Sequence, residues 1–162
     1  DGVEVTDRWH LRHWMGVPGP VSTSFSGSLG LCPPVAPKLI GFDETGCEVV
    51  ARQPHDLCDW ALLEKAMEVD PYDLFELDGC HHWTRESIRA WASRVPEIAH
   101  HIEAHLLDPD WWEWPDQFEL GVRIGRMWLQ YIQGGLEACL RYFAHFLDCG
   151  VWLTDLSQVP ER

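Results

Sequence analysis

The stretch from Gln117 to Cys149 constrains this chain more than any other. Arg126, Gln130, Gln133, Glu137, Arg141, His145 and Asp148 recur every three or four residues and form one polar stripe. Trp128, Leu129, Ile132, Leu136, Leu140, Phe143, Phe146 and Leu147 fill most of the remaining circumference. That period predicts a helix, and a helix apolar over so much of its surface has to be covered by other elements or by a partner. Gly134-Gly135 predicts a bend. Asp116, with Glu119 three residues later, makes a capping box for the start. Gly121 and Gly125 stand four apart, a spacing that lets another helix approach closely. The stripe reads first as a solvated face, with Glu137 and Arg141 paired across one turn. The sharper reading has Arg126, Glu137, Arg141 and His145 line a cleft or a protein interface.

Shorter helices precede it. Asp56 is placed to cap a helix running to about Glu68, with Leu57, Trp60, Leu63, Ala66 and Met67 largely along one face. Asp70-Pro71 predicts a second short helix ended by Asp78-Gly79. Thr84 predicts the cap of a third, carrying Ile88 and Trp91 inward, and a fourth runs from about Pro96 to Leu107. Upstream, Lys38–Phe42 and Cys47–Ala51 flank Asp43-Glu44-Thr45-Gly46 and predict a β-hairpin. Thr6-Asp7 suggests a short helix through Trp14, stopped by Pro18, Gly19 and Pro20. Val21 to Lys38, rich in Ser, Gly and Pro, reads as an extended arm or loop. Together these describe a mainly α domain of about five helices, the C-terminal one long. Residues 1–37 form an irregular arm, 38–52 a small hairpin, 56–150 a helical core and 151–162 a tail.

Charge narrows the partners. The net charge is −14, and Asp56 to Glu119 carries sixteen acidic residues against four basic ones. Such a field repels phosphate backbones, so nucleic acid is excluded as the expected partner; a protein with a basic surface, or solubility alone, suits it better. No run of about 20 apolar residues predicts a membrane span. The six cysteines include no C-x-x-C pair, which argues against a zinc ribbon or thioredoxin-type site. Cys139 and Cys149, about 15 Å apart along one helix, cannot bond to each other, and buried free thiols are the default reading. Starting at Asp1 without a Met, the chain is compatible with a processed organellar or exported product and equally with an excerpt.

Ten tryptophans exceed what one small core needs. Trp111, Trp112 and Trp114 lie between Asp108-Pro109 and Pro115-Asp116, and so short a segment cannot easily turn all three indoles into one core. Exposed aromatics with a charged rim anchor interfaces. The candidate interface is therefore Trp111, Trp112 and Trp114 with Asp110 and Glu113, facing a partner rich in Arg or Lys.

Histidines carry the competing possibility. His101 and His105 are four apart on one predicted helix, so their imidazoles share a face and suit one metal ion; Glu97 lies a further turn back. His82 and Glu86 repeat the spacing upstream. Adjacent helices bearing H-x-x-x-E and H-x-x-x-H resemble the middle two helices of hemerythrin-like di-iron proteins, and His55 stands where the first helix of that family has its histidine. The resemblance covers about fifty residues and implies a metal site of iron, zinc or manganese at His82, Glu86, His101 and His105. It departs from the family in the last helix, where His145 has no Asp five residues later. A ferritin-like site needs two Glu-x-x-His motifs, and only Glu97–His100 is present. Cys80-His81-His82 and His10 with His13 are further clusters without a diagnostic partner pair.

No nucleophile elbow, phosphate loop or dinucleotide fingerprint occurs. The expectation is a non-catalytic accessory or adaptor subunit binding through a Trp-rich acidic surface, with no cofactor assigned. The alternatives are a small helical His/carboxylate metalloprotein and an acidic inhibitor or immunity-type protein.

Overall fold

The computed structural model describes residues 8–24, 30–43, 45–112 and 115–152, with side chains excepted at 115–117. The predicted mainly α architecture with a small hairpin is present, and a second two-stranded pairing accompanies it.

The described part of the N-terminal arm is built into the core. Only a 3-10 turn, Trp9–Leu11, stands where a short helix was expected; its expected cap, Thr6-Asp7, lies outside the described residues. After it the chain runs extended. Arg12 bridges Ser24, the His13 N–H donates to the Thr23 carbonyl at 2.9 Å, and the Val17 N–H donates to Val50 at 2.9 Å. Met15, Val17 and Val21 are buried. β1 (Ser22–Thr23) pairs antiparallel with β4 (Phe75–Glu76), Thr23 opposite Phe75. This pairing corrects the short helix expected after Asp70-Pro71. The Asp70 carboxylate accepts the N–H groups of Tyr72 at 3.0 Å and Leu74 at 2.6 Å, and Asp73 takes a positive φ of 52°. A turn results, because an aspartate that bonds forward to the backbone competes with helix formation.

The hairpin forms as expected. β2 (Ile40–Phe42) and β3 (Glu48–Val50) pair with Ile40 opposite Val50 and Gly41 opposite Val49. All six residues are buried, because the strands stand between two apolar clusters. Val49 belongs to the cluster of Trp128, Ile124, Ile102 and Phe143. Ile40 and Val50 belong to that of Val21, Leu39, Leu63 and Leu74. Gly41 is required by close approach, since a Cβ there would meet the Trp128 ring at 2.9 Å.

α1 (Cys32–Val35) is one turn beginning Cys-Pro-Pro. α2 (Leu57–Val69) is capped as expected, the Asp56 carboxylate accepting the Asp59 N–H at 2.8 Å. Its inward face differs from the expected one: Leu63 and Ala66 are buried, but Leu57 is 86% exposed. Asp59 is fully buried instead, ion-paired with Lys38 and accepting the His55 N–H at 3.0 Å.

α3 (Gly79–His82) is a single turn. α4 (Arg85–Ala92) starts at a capping box of Thr84 and Ser87 and buries Ile88 and Trp91. α5 (Val95–His101) runs into a π-helical turn, Ile102–Leu106. α6 (Pro115–Gly134) and α7 (Leu136–Cys149) are the long C-terminal helix, broken at Gly135 as the Gly pair predicted. Among the described residues no helix is long and apolar enough to cross a membrane. Of the tail, Trp152 packs edge-on against Tyr142 and Phe146.

Candidate functional site

The π turn organises the part of the surface where the sequence concentrated its candidates. Here the Leu107 N–H reaches back five residues to the Ile102 carbonyl at 3.3 Å, the wide turn that recurs at functional positions in helices. Ile102 and Leu106 are fully buried and lie against α6, where the position of a Cβ on Gly125 is 3.2 Å from Leu106. The small residue at 125 thus lets this turn approach the long helix. His101 and His105 stand together, with ring centroids 4.5 Å apart. Trp14 from the N-terminal strap meets His101 edge-on at 6.0 Å, and Trp111 lies tilted on His105 at 4.4 Å. The Arg94 guanidinium covers the far side of the row, 4.2 Å above Trp14. The Nδ1 atom of His105 is buried with no hydrogen-bond partner among the described residues.

The tryptophan segment divides by residue. The Asp108 carboxylate accepts the Asp110 N–H at 2.9 Å and starts a 3-10 turn, Pro109–Trp111. Asp110 is exposed, and Trp111 is 44% exposed. Trp112 turns inward. Its Nε1–H donates to the Leu106 carbonyl at 3.3 Å, its ring meets Phe42 edge-on at 6.1 Å, and it lies on Gly121, where any Cβ would collide with it. Glu113 and Trp114 lie outside the described residues, as does the side chain of Asp116 from the expected capping box, while its Glu119 is exposed.

The four-residue metal set is not brought together. His82 ends α3, and the following Trp83 is extended with ψ 140°, so the helix carrying Glu86 begins only at Arg85. A four-residue spacing aligns side chains only within one continuous helix. His82 instead bonds Asp78 at 2.9 Å and stacks on Trp9 at 4.6 Å, while Glu86 is exposed. Glu97 is held by Arg94 at 3.0 and 3.2 Å, which lowers its carboxyl below the ordinary glutamate value. His55 lies against Tyr142. Among the described residues no three His, Cys, Asp or Glu converge as a metal-binding group.

His13 has a different role from the one suggested by its spacing to His10. It is buried, Nδ1 accepting the Met15 N–H at 3.2 Å and Nε2 bonding Asp43 Oδ2 at 2.8 Å. A backbone N–H can only donate, so Nδ1 is the acceptor and Nε2 carries the proton given to Asp43. Asp43 also accepts the N–H groups of Thr45 and Cys47, both at 2.8 Å. Burial works against its ionised form, but the bonds from His13, Thr45 and Cys47 outweigh it and hold the carboxyl below the usual range. The pair ties the N-terminal strap to the hairpin loop. Thirty residues separate its members, and no local pattern announces it.

On the polar stripe, Arg126 lines a groove of about 460 Å³ with Phe118, Val122, Arg123 and Met127. Asp148 pairs with Arg85. Glu137 and Arg141, expected to pair, make no ion pair among the described residues, where the Arg141 Nε is buried without a hydrogen-bond partner. Cys32 and Cys47 are buried, whereas Cys58 and Cys149 are exposed. Compared with protein-family models, with curated proteins and with solved structures, the chain finds no match.

Proposed function

We propose that this chain is a non-catalytic accessory subunit that docks on a basic surface of a partner protein through Trp111 and its acidic neighbours. The observation that carries the reading is Trp111, a large indole 44% exposed on a turn that also presents Asp108 and Asp110. Its ring is braced by His105 at 4.4 Å and its turn is capped by Asp108. An aromatic held in place loses little entropy on binding, which suits an interface anchor. A partner contributing Arg or Lys gains from the acidic rim in encounter rate and specificity. The buried His13–Asp43 pair does not compete as a catalytic dyad: Nδ1 accepts from Met15 and Nε2 donates to Asp43, which commits both ring nitrogens.

The test separates two tryptophans that the sequence groups together. A photo-crosslinking amino acid at position 111 of the full chain, expressed in its native source, identifies the partner by mass spectrometry. The purified partner is then titrated with Trp111→Ala and Trp112→Ala. We expect Trp111→Ala to weaken binding by about 2 kcal/mol, roughly 30-fold, with little change in Tm. Trp112→Ala should lower Tm sharply, because it empties a packed site. Binding should also weaken as salt rises. Unchanged affinity in Trp111→Ala, or a partner acidic at the crosslinked face, overturns the reading.

A further inference from the structure

We infer that His101 and His105 form a two-imidazole binding site for a divalent transition ion of the borderline class, Ni²⁺, Cu²⁺ or Zn²⁺. The inference does not depend on the docking role of Trp111. Three observations meet at this place. The rings stand 4.5 Å apart between centroids. Nitrogens bound to one zinc at ~2.0–2.1 Å lie roughly 3.3 Å from each other, and sharing one ion requires the two side chains to turn one nitrogen each toward a common point. The Nδ1 atom of His105 is buried and has no partner among the described residues, and a buried polar atom without a partner calls for an explanation; a bound cation supplies one. Finally, His101 ends α5 and His105 lies in the π turn that follows, whose Ile102 and Leu106 are buried against α6.

The surroundings favour a cation of this class. Imidazole suits copper, nickel and zinc, whereas magnesium and calcium prefer oxygen ligands. Glu97 lies close enough for His101 to influence its ionisation, and Asp108 follows one turn later, its N–H donating to the His105 carbonyl at 3.2 Å. The nearby cation, Arg94, is engaged with Glu97 and Trp14. No third His, Cys, Asp or Glu among the described residues joins the pair, so water or another molecule completes the coordination. This ligand set is half of the one that the hemerythrin-like spacing implied. His82 and Glu86 are absent from it because the chain between them is not helical.

Trp14 and Trp111 flank the two rings and report on the site. Ni²⁺ added to the full chain should quench tryptophan emission saturably, and Zn²⁺ should compete it off. His105→Ala and His101→Ala should each weaken Ni²⁺ binding at least tenfold. His100→Ala, exposed on the same helix, should leave it unchanged and serves as the control for adventitious chelation among the nine histidines. Paramagnetic broadening of amide signals by Cu²⁺ in the unmodified protein gives a second measurement that needs no variant; it should centre on residues 101–111 and Trp14. Equal Ni²⁺ affinity in His105→Ala and the native chain, or broadening centred elsewhere, overturns the site.

Discussion

Asp43 shows how much one buried carboxylate can hold in a chain of this size. It accepts from His13, Thr45 and Cys47 at once. An asparagine there keeps one oxygen for the Thr45 and Cys47 N–H groups but sets an NH2 donor against the buried His13 Nε2–H, which loses its acceptor. Asp43→Asn should therefore destabilise the fold by about 2–3 kcal/mol in urea denaturation at pH 7. The pH dependence follows from the lowered pKa. A carboxyl whose folded value lies below its unfolded value of about 3.9 contributes its stability above that pH and loses it as pH falls through the folded value. The stability difference between native chain and variant should thus be full at pH 6–7 and shrink below about pH 4. A difference that stays constant down to pH 2 would show that the carboxylate charge contributes nothing. At the same scale, Leu57 and Asp59 exchange the roles that pattern alone suggests. Asp56 caps α2 at the surface, so the first-turn Leu57 points to solvent. Lys38 lies where Asp59 is buried and compensates its charge.

Among the elements, the start signals were legible and the fates of some segments were not. Asp56 and Thr84 cap helices because a side-chain oxygen three residues before a backbone N–H is a local relation that needs no tertiary context. The hairpin and the break at Gly135 are local in the same sense. The segment after Asp70 reads equally well as a helix start, and its pairing with β1, some fifty residues upstream, decides against it. Gly121 tests how elements approach. Alanine there gains about 1 kcal/mol of helix propensity but displaces the Trp112 indole, and loss of large buried contacts outweighs that gain. Gly121→Ala should therefore lower stability by about 1–2 kcal/mol net. Gly134→Ala, with open space around its Cβ, should be neutral or slightly stabilising. Equal effects of the two changes on thermal unfolding would mean that the Trp112 contact carries no weight.

At the scale of the whole molecule, two apolar clusters meet at one hairpin, and the N-terminal strap contributes to both, Met15 and Val17 to one and Val21 to the other. Neither cluster can lose the hairpin without exposing the other. Thermal unfolding followed by far-UV circular dichroism and by tryptophan emission should therefore give coincident single transitions, as expected of a cooperative unit. Separate midpoints would show that the clusters melt independently. The sequence by itself determined the helical class, the hairpin, the caps and the bend of the long helix, since each depends on residues within a turn or two of each other. It also brought His101 and His105 onto one face. Tertiary structure alone decided that the described part of the N-terminal arm is core, that Asp43 receives His13, and that Trp111 faces out while Trp112 turns in. It likewise excluded His82 and Glu86 from the histidine pair. Those outcomes rest on contacts between distant segments, and the energy of such a contact depends on which surfaces the folded chain brings together.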